Sequence, residues 1–146
     1  MSVDMKSFNW DALPVKTGAT ADPGAATDPA EITFAKRTLF MGGRCSIVRD
    51  ATPANIYAYL NIKRDATNVD NALWHGTAIT ANQTVAVDIC AGVVNFVAVS
   101  GNNNVMGIPS PGIEIPAGGK LQLKFFGIQG ADNVGVFRYA YKEAPA

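Results

Sequence analysis

Few residues in this chain could do covalent or acid-base chemistry. It has one histidine, His75, and two cysteines, Cys45 and Cys90, against twelve carboxylates. A Ser-His-Asp or Cys-His mechanism would have to use His75 as its base, and no G-x-S-x-G or comparable nucleophile motif occurs to pair with it. In "LWHGT" it reads as a loop or strand-end histidine beside Trp74. A zinc or blue-copper centre needs two or more histidines near a cysteine, which the inventory cannot supply. Cys45 and Cys90 lack C-x-x-C spacing and have strand-like neighbours, so two buried free thiols are expected, with a disulfide as the alternative. Among the acids, Asp65, Asp70, Asp88, Glu31, Glu114 and Glu143 have no context that selects two as a general acid and base. The run Ser100 to Asn104, "SGNNN", offers amides to a sugar or oxygens to calcium, and equally marks a hairpin turn, since Asn and Gly tolerate left-handed backbone. The expectation is a protein without catalytic residues, metal or cofactor: not an enzyme.

The elements that hold these residues follow from length and pattern. A chain of 146 residues is the size of one domain, and Lys plus Arg balance Asp plus Glu at 12 each. No global field favours a polyanion, and no clustered basic face is visible, so neither nucleic acid nor a membrane is expected as a partner. The start "MSVDMKSFNWDALPV" carries Asp4 and lacks the basic and apolar regions of a secretory signal, and no stretch approaches 18 consecutive apolar residues.

Composition changes once, near residue 30. Residues 1–30 contain Pro14, Pro23 and Pro29 among small, turn-prone residues, which reads as an extended N-terminal arm ahead of a β-sandwich domain over 31–146. The arm has one apolar cluster, Phe8, Trp10, Leu13 and Val15. Either it anchors a partner or it packs back on its own domain; in both cases it should be covered.

Beyond the arm the period is two. "ANIYAYLNIK" sets Ile56, Ala58, Leu60 and Ile62 against Tyr57, Tyr59, Asn61 and Lys63. Val85, Val87 and Ile89 alternate in "TVAVDIC", and "GVVNFVAVS" is apolar on both faces, as a central strand would be. "EITFAKRTLF" and "RCSIVRD" read as a pair of strands turning at Met41, Gly42 and Gly43. "NVGVFRYAYKE" puts Phe137, Tyr139 and Tyr141 opposite Val134, Val136, Arg138 and Ala140, while "TNVDNALWHG" reads as a loop or a single helical turn. In "GIEIPAGGKLQLKFFGI" two strands flank a turn whose tip is Ala117 to Gly119, a predicted hairpin. About eight strands punctuated by Gly, Pro and Asn predict an all-β fold, a sandwich or closed barrel. Tyr57 and Tyr59, and Phe137, Tyr139 and Tyr141, are more aromatic than a solvent face requires; they serve either a symmetric interface or the core.

Three stretches, "DPGAATDPAEITF", "VVNFVAVSGNNNV" and "IEIPAGGKLQL", together with the loose arm and the lack of a catalytic constellation, resemble the small decoration (cement) proteins of tailed-bacteriophage capsids. The resemblance implies a jelly-roll-like sandwich, often a homotrimer, made in the host cytoplasm and seated on the capsid surface of the virion. Its partners would be the major capsid protein or neighbouring copies of itself. Partner-binding candidates are then Phe8, Trp10, Leu13, Val15, Tyr57, Tyr59, Phe137, Tyr139 and Tyr141. The alternative is a carbohydrate- or receptor-binding β-sandwich of a phage tail or cell-surface assembly, using Trp74 with Asn102 to Asn104.

Overall fold

The alternating segments form strands that pair into two sheets. The computed structural model describes residues 9–22, 24–25, 30–64, 69–74, 78–92, 96–100, 103–128 and 131–145. A single 3-10 turn, Trp10–Ala12, precedes thirteen β segments among the described residues: β1 (Lys16–Ala19), β2 (Gly24–Ala25), β3 (Ala30–Thr33), β4 (Thr38–Val48), β5 (Tyr57–Lys63), β6 (Val69–Trp74), β7 (Thr84–Ala91), β8 (Phe96–Ser100), β9 (Asn103–Ile108), β10 (Ile113–Ile115), β11 (Lys120–Phe126), β12 (Asn133–Val134) and β13 (Arg138–Glu143). The expected eight are exceeded because five segments of only two to four residues, β1, β2, β3, β10 and β12, join the sheets.

The larger sheet has the order β1-β13-β4-β7-β9-β8, with β10 and β12 also on β4 and β2 on β12; the smaller is β3-β11-β5-β6. All pairs are antiparallel except β7 with β9. The inner faces meet in one core that includes Phe40, Ile47 and Val87 from the larger sheet and Leu60, Leu121 and Leu123 from the smaller. The chain is an all-β sandwich. Each of these side chains is fully or almost fully buried, so truncating a core leucine to alanine should cost about 2–5 kcal/mol.

Five local expectations are corrected. Ile113–Ile115 and Lys120–Phe126 do not pair with each other: β10 lies on β4 of the larger sheet, whereas β11 lies between β3 and β5 of the smaller. The turn at Ala117 to Gly119 is real, with Gly118 at φ +78°, but it is a corner between sheets. It is fastened by Gly118 N–H to Phe34 O (2.7 Å) and Phe34 N–H to Gly119 O (3.0 Å). Met41, Gly42 and Gly43 do not turn the chain; β4 continues through them as one strand of 11 residues. There β13 shifts register between Ala140 and Tyr141, and Gly42 takes φ +133° opposite Cys90. This bulge is why interior residues change from even (Phe40) to odd (Cys45, Ile47) along one strand.

"GVVNFVAVS" supplies β8, which ends the sheet order instead of sitting centrally. Its neighbour β9 fills the central place, with Asn104, Met106 and Ile108 inward. An apolar run does not by itself separate the two positions. "TNVDNALWHG" contributes β6, a strand at the margin of the smaller sheet. Val134, placed opposite Phe137 by strict alternation, shares the core with it, because the strand is interrupted between β12 and β13. The alternations of β5 and β7 stand as read, with Ile56, Ala58, Leu60, Ile62, Val85, Val87 and Ile89 all buried. Ser100 is the register partner of Asn103 in the antiparallel pair of β8 and β9; Gly101 and Asn102 lie outside the described residues.

Candidate functional site

Glu31, Asp88, Glu114 and Glu143 are each met by a base or a hydrogen-bond donor. Lys120 (3.1 Å) and the Gln122 amide both donate to Glu31, and these contacts hold its carboxyl below the ordinary value, the Gln122 bond being the larger cause. Lys16 bonds Glu143 at 3.0 Å, and Arg44 lies 3.5 Å from Asp88. Among the described residues no group of three His, Cys, Asp or Glu side chains could hold a metal.

The two cysteines point to opposite faces of the larger sheet. Cys45 pairs with the inward Val87, whereas Cys90 follows the inward Ile89 and faces out. Burial, then nearby Asp22, pushes the Cys45 thiol up to about 12. Cys90, half-buried, is raised by burial and by Asp88. We expect a neutral thiol reagent to modify native protein at Cys90 only, located by peptide mass spectrometry, and Cys45 to react only after unfolding. A Cys45–Cys90 disulfide in the same digest would contradict this placement.

The arm's visible part lies on the body. Trp10, 9% exposed, covers Leu39 and Ala144 with help from Leu13 and Met41. Its indole N–H donates to Glu114 (2.9 Å), Arg37 sits 5.8 Å from its ring centroid, and Lys142 donates to its backbone carbonyl (2.9 Å). The following β1 pairs with β13, and β2 with β12. Of the two roles open to this cluster, packing on its own domain is the one seen for Trp10. Val15 is 55% exposed, and Phe8 lies outside the described residues.

Glu114 ties the seat together, accepting from Arg37 at 2.6 Å and from Trp10, and these bonds, Arg37's first, lower its pKa from the usual 4.5. A depressed carboxylate stabilises the fold above its ordinary range and loses that contribution as pH falls through the folded value. Trp10 fluorescence, read in a Trp74→Phe background, should therefore begin to change below pH 4.5, and Glu114→Ala should show the altered signal already at neutral pH and abolish the acid transition. An indole signal indifferent to both would show that Glu114 does not hold the ring.

The remaining aromatic candidates divide. Phe137 is fully buried, and Tyr139 and Tyr141 are partly buried against the core. They join Phe34 and Phe40 in a chain of tilted and edge contacts with centroids 5.5 to 6.2 Å apart. Gly18 leaves room for this stack, since a Cβ there would stand 2.6 Å from the Tyr139 ring. Tyr57 and Tyr59 are half-buried on the outer face of the smaller sheet, where Tyr57 is the register partner of Phe126 and Tyr59 that of Lys124. Phe126 is 61% exposed. His75 and Asp65 lie outside the described residues; Asp70 and Trp74 are placed only as positions in β6. Asn104 is buried, with its Nδ2 making no hydrogen bond among the described residues, and is not presented to a glycan.

Two features were not foreseen. The first is a buried ion pair: Arg49 Nε to Asp132 Oδ1 at 3.0 Å, both side chains fully buried. Arg49 also donates to the carbonyls of Ala54 and Ile79 (2.7 Å each), and Asp132 accepts from the Asp50 N–H (2.9 Å). One guanidinium thus clasps three chain segments. The second is a trough of about 590 Å³ across the outer face of the larger sheet, lined by parts of β1, β13, β4 and β7. No sequence motif announces either, because their parts meet only through sheet register and chain crossings.

No protein-family model matches this chain, and no curated protein does. Among solved structures it is similar to that of infectious bursal disease virus Gx strain, with TM-score 0.42 and 13% identity over 99% of this chain and 37% of that one. The Gt strain structure gives 0.37 and 14% over 100% and 41%, and the T13 viral particle of the same virus 0.36 and 14% over 90% and 36%. The chain spans about two fifths of the length of these structures.

Proposed function

We propose that this chain is a non-enzymatic structural subunit that binds and stabilises a tailed-bacteriophage capsid as a decoration, or cement, protein. Its partners are the major capsid protein and neighbouring copies of itself, in a homotrimer on the virion surface. The observation that carries the reading is the outer face of the smaller sheet. Phe126 is 61% exposed there, beside half-buried Tyr57, with Tyr59 and Lys124 in the next row. Aromatic rings are enriched in the core of an interface, and Lys124 would fall on its polar rim. Support comes also from the ionisable groups: those described above are engaged in fastening strands and the Trp10 seat, which suits a protein whose task is to be rigid. The sequence resemblance supplies the particular assembly.

Light scattering at micromolar concentration should give three times the 15.4 kDa chain mass, and Phe126→Ser should shift the population toward monomer without altering circular dichroism. A monomer for the unaltered chain would remove the trimer; a trimer indifferent to Phe126→Ser would move the interface elsewhere.

A further inference from the structure

The trough on the larger sheet lies on the face opposite the core, between the Trp10 seat and a row of charged residues. Register fixes its composition. Thr17, Ala140, Gly42 and Cys90 lie in one row across four adjacent strands. At about 4.8 Å between strands, that row is about 14 Å long, the span of an extended peptide of four or five residues. Small side chains keep it low.

The neighbouring outward row holds Arg138 and Arg44 as direct cross-strand partners, and both line the trough. Two like charges directly opposite on a sheet destabilise it. Asp88, on the far side of Arg44 at 3.5 Å, offsets one of them only, and Arg44 is still 64% exposed. Such a pair in a rigid sheet is matched by a carboxylate, which two guanidinium groups can hold by charge-assisted hydrogen bonds.

We infer that this trough is a docking groove for an extended peptide segment of a partner protein, which lays small aliphatic side chains on Ala140, Gly42 and Cys90 and sets a carboxylate between Arg44 and Arg138. The trough is open to solvent, unlike the enclosed pockets that bury most of a small ligand. The backbone of β4 and β13 beneath it is already paired in ladders, so recognition runs through side chains and charge and not through strand addition. This deepens the reading of the chain as an assembly subunit, giving it a second contact surface distinct from the Phe126 face.

The test uses the full chain and a capped five-residue peptide of valine, alanine, glutamate, valine and alanine, with glutamine and lysine versions at the centre. Amide shifts in nuclear magnetic resonance should move along β1, β13, β4 and β7. The glutamate peptide should bind at least ten times more tightly than the lysine peptide and should slow the reaction of Cys90 with a thiol reagent. Arg138→Glu, folded by circular dichroism, should reverse the preference. Equal affinity for the three peptides, shifts on another face, or no binding at millimolar peptide would each overturn the groove. Any of these would leave the Phe126 surface and the capsid reading standing, whereas peptide binding by a chain that never decorates a particle would keep the groove and discard that reading.

Discussion

Replacing Asp132 with alanine should destabilise the protein by about 3–5 kcal/mol, among the largest single losses the chain can show. The substitution leaves the Arg49 guanidinium fully buried and without its ionic partner, and withdraws the acceptor that fixes the Asp50 N–H. The carbonyls of Ala54 and Ile79 would still solvate the cation in part, which keeps the effect short of outright unfolding. Most of the loss is the cost of a stranded charge, so an Arg49→Met, Asp132→Leu double variant should recover a substantial part of it. Urea unfolding of the unaltered chain, Arg49→Met, Asp132→Leu and the double variant measures the coupling. Single losses that simply add, or an Asp132→Ala loss below about 1 kcal/mol, would show that the pair does not clasp the three segments.

Gly42→Val should be comparably severe, of order 3–5 kcal/mol. A Cβ at this position would stand 2.3 Å from the Ile89 carbonyl oxygen, and φ of +133° disfavours any side chain. The obstacle is backbone in the next strand, which cannot swing away as a side-chain tip could. Gly118→Ala provides the contrast: φ is +78° but nothing lies within 4 Å of a Cβ, so only the conformational cost of about 1 kcal/mol applies. Thermal melts of the two variants should therefore separate widely. Equal melting temperatures would mean that β4 can drop its bulge at no cost.

These two glycines also mark how far the sequence could be read. Gly118 announced a turn correctly, because a Pro-x-Gly-Gly run has a local meaning that the fold did not override. The partnership of the flanking strands was not local: β10 and β11 part company into different sheets, although nothing in "IEIPAGGKLQL" distinguishes a corner from a hairpin. Gly42 and Gly43 carried the same local signal as a turn, yet they serve the close approach of β7 and the bulge opposite β13, which depend on strands 45 to 100 residues distant. The core of β5 and β7 was legible since alternation alone sets which side is inward. At the candidate surfaces, Tyr57 and Tyr59 were legible as one aromatic face of β5, with interface and core both left open by the pattern, whereas Phe126 joins that face only through pairing of β11 with β5. Arg49 and Asp132 lie 83 residues apart and join through no motif.

Attachment to a capsid is read from the decoration of purified shells. Phage shells stripped of their decoration protein, incubated with this chain and imaged by electron cryomicroscopy, should gain density repeating with the lattice at capsomer junctions, and should withstand a higher temperature before releasing their contents. Shells that stay bare at micromolar concentrations of the folded protein, with no gain in heat resistance, would mean that the protein does not decorate a capsid.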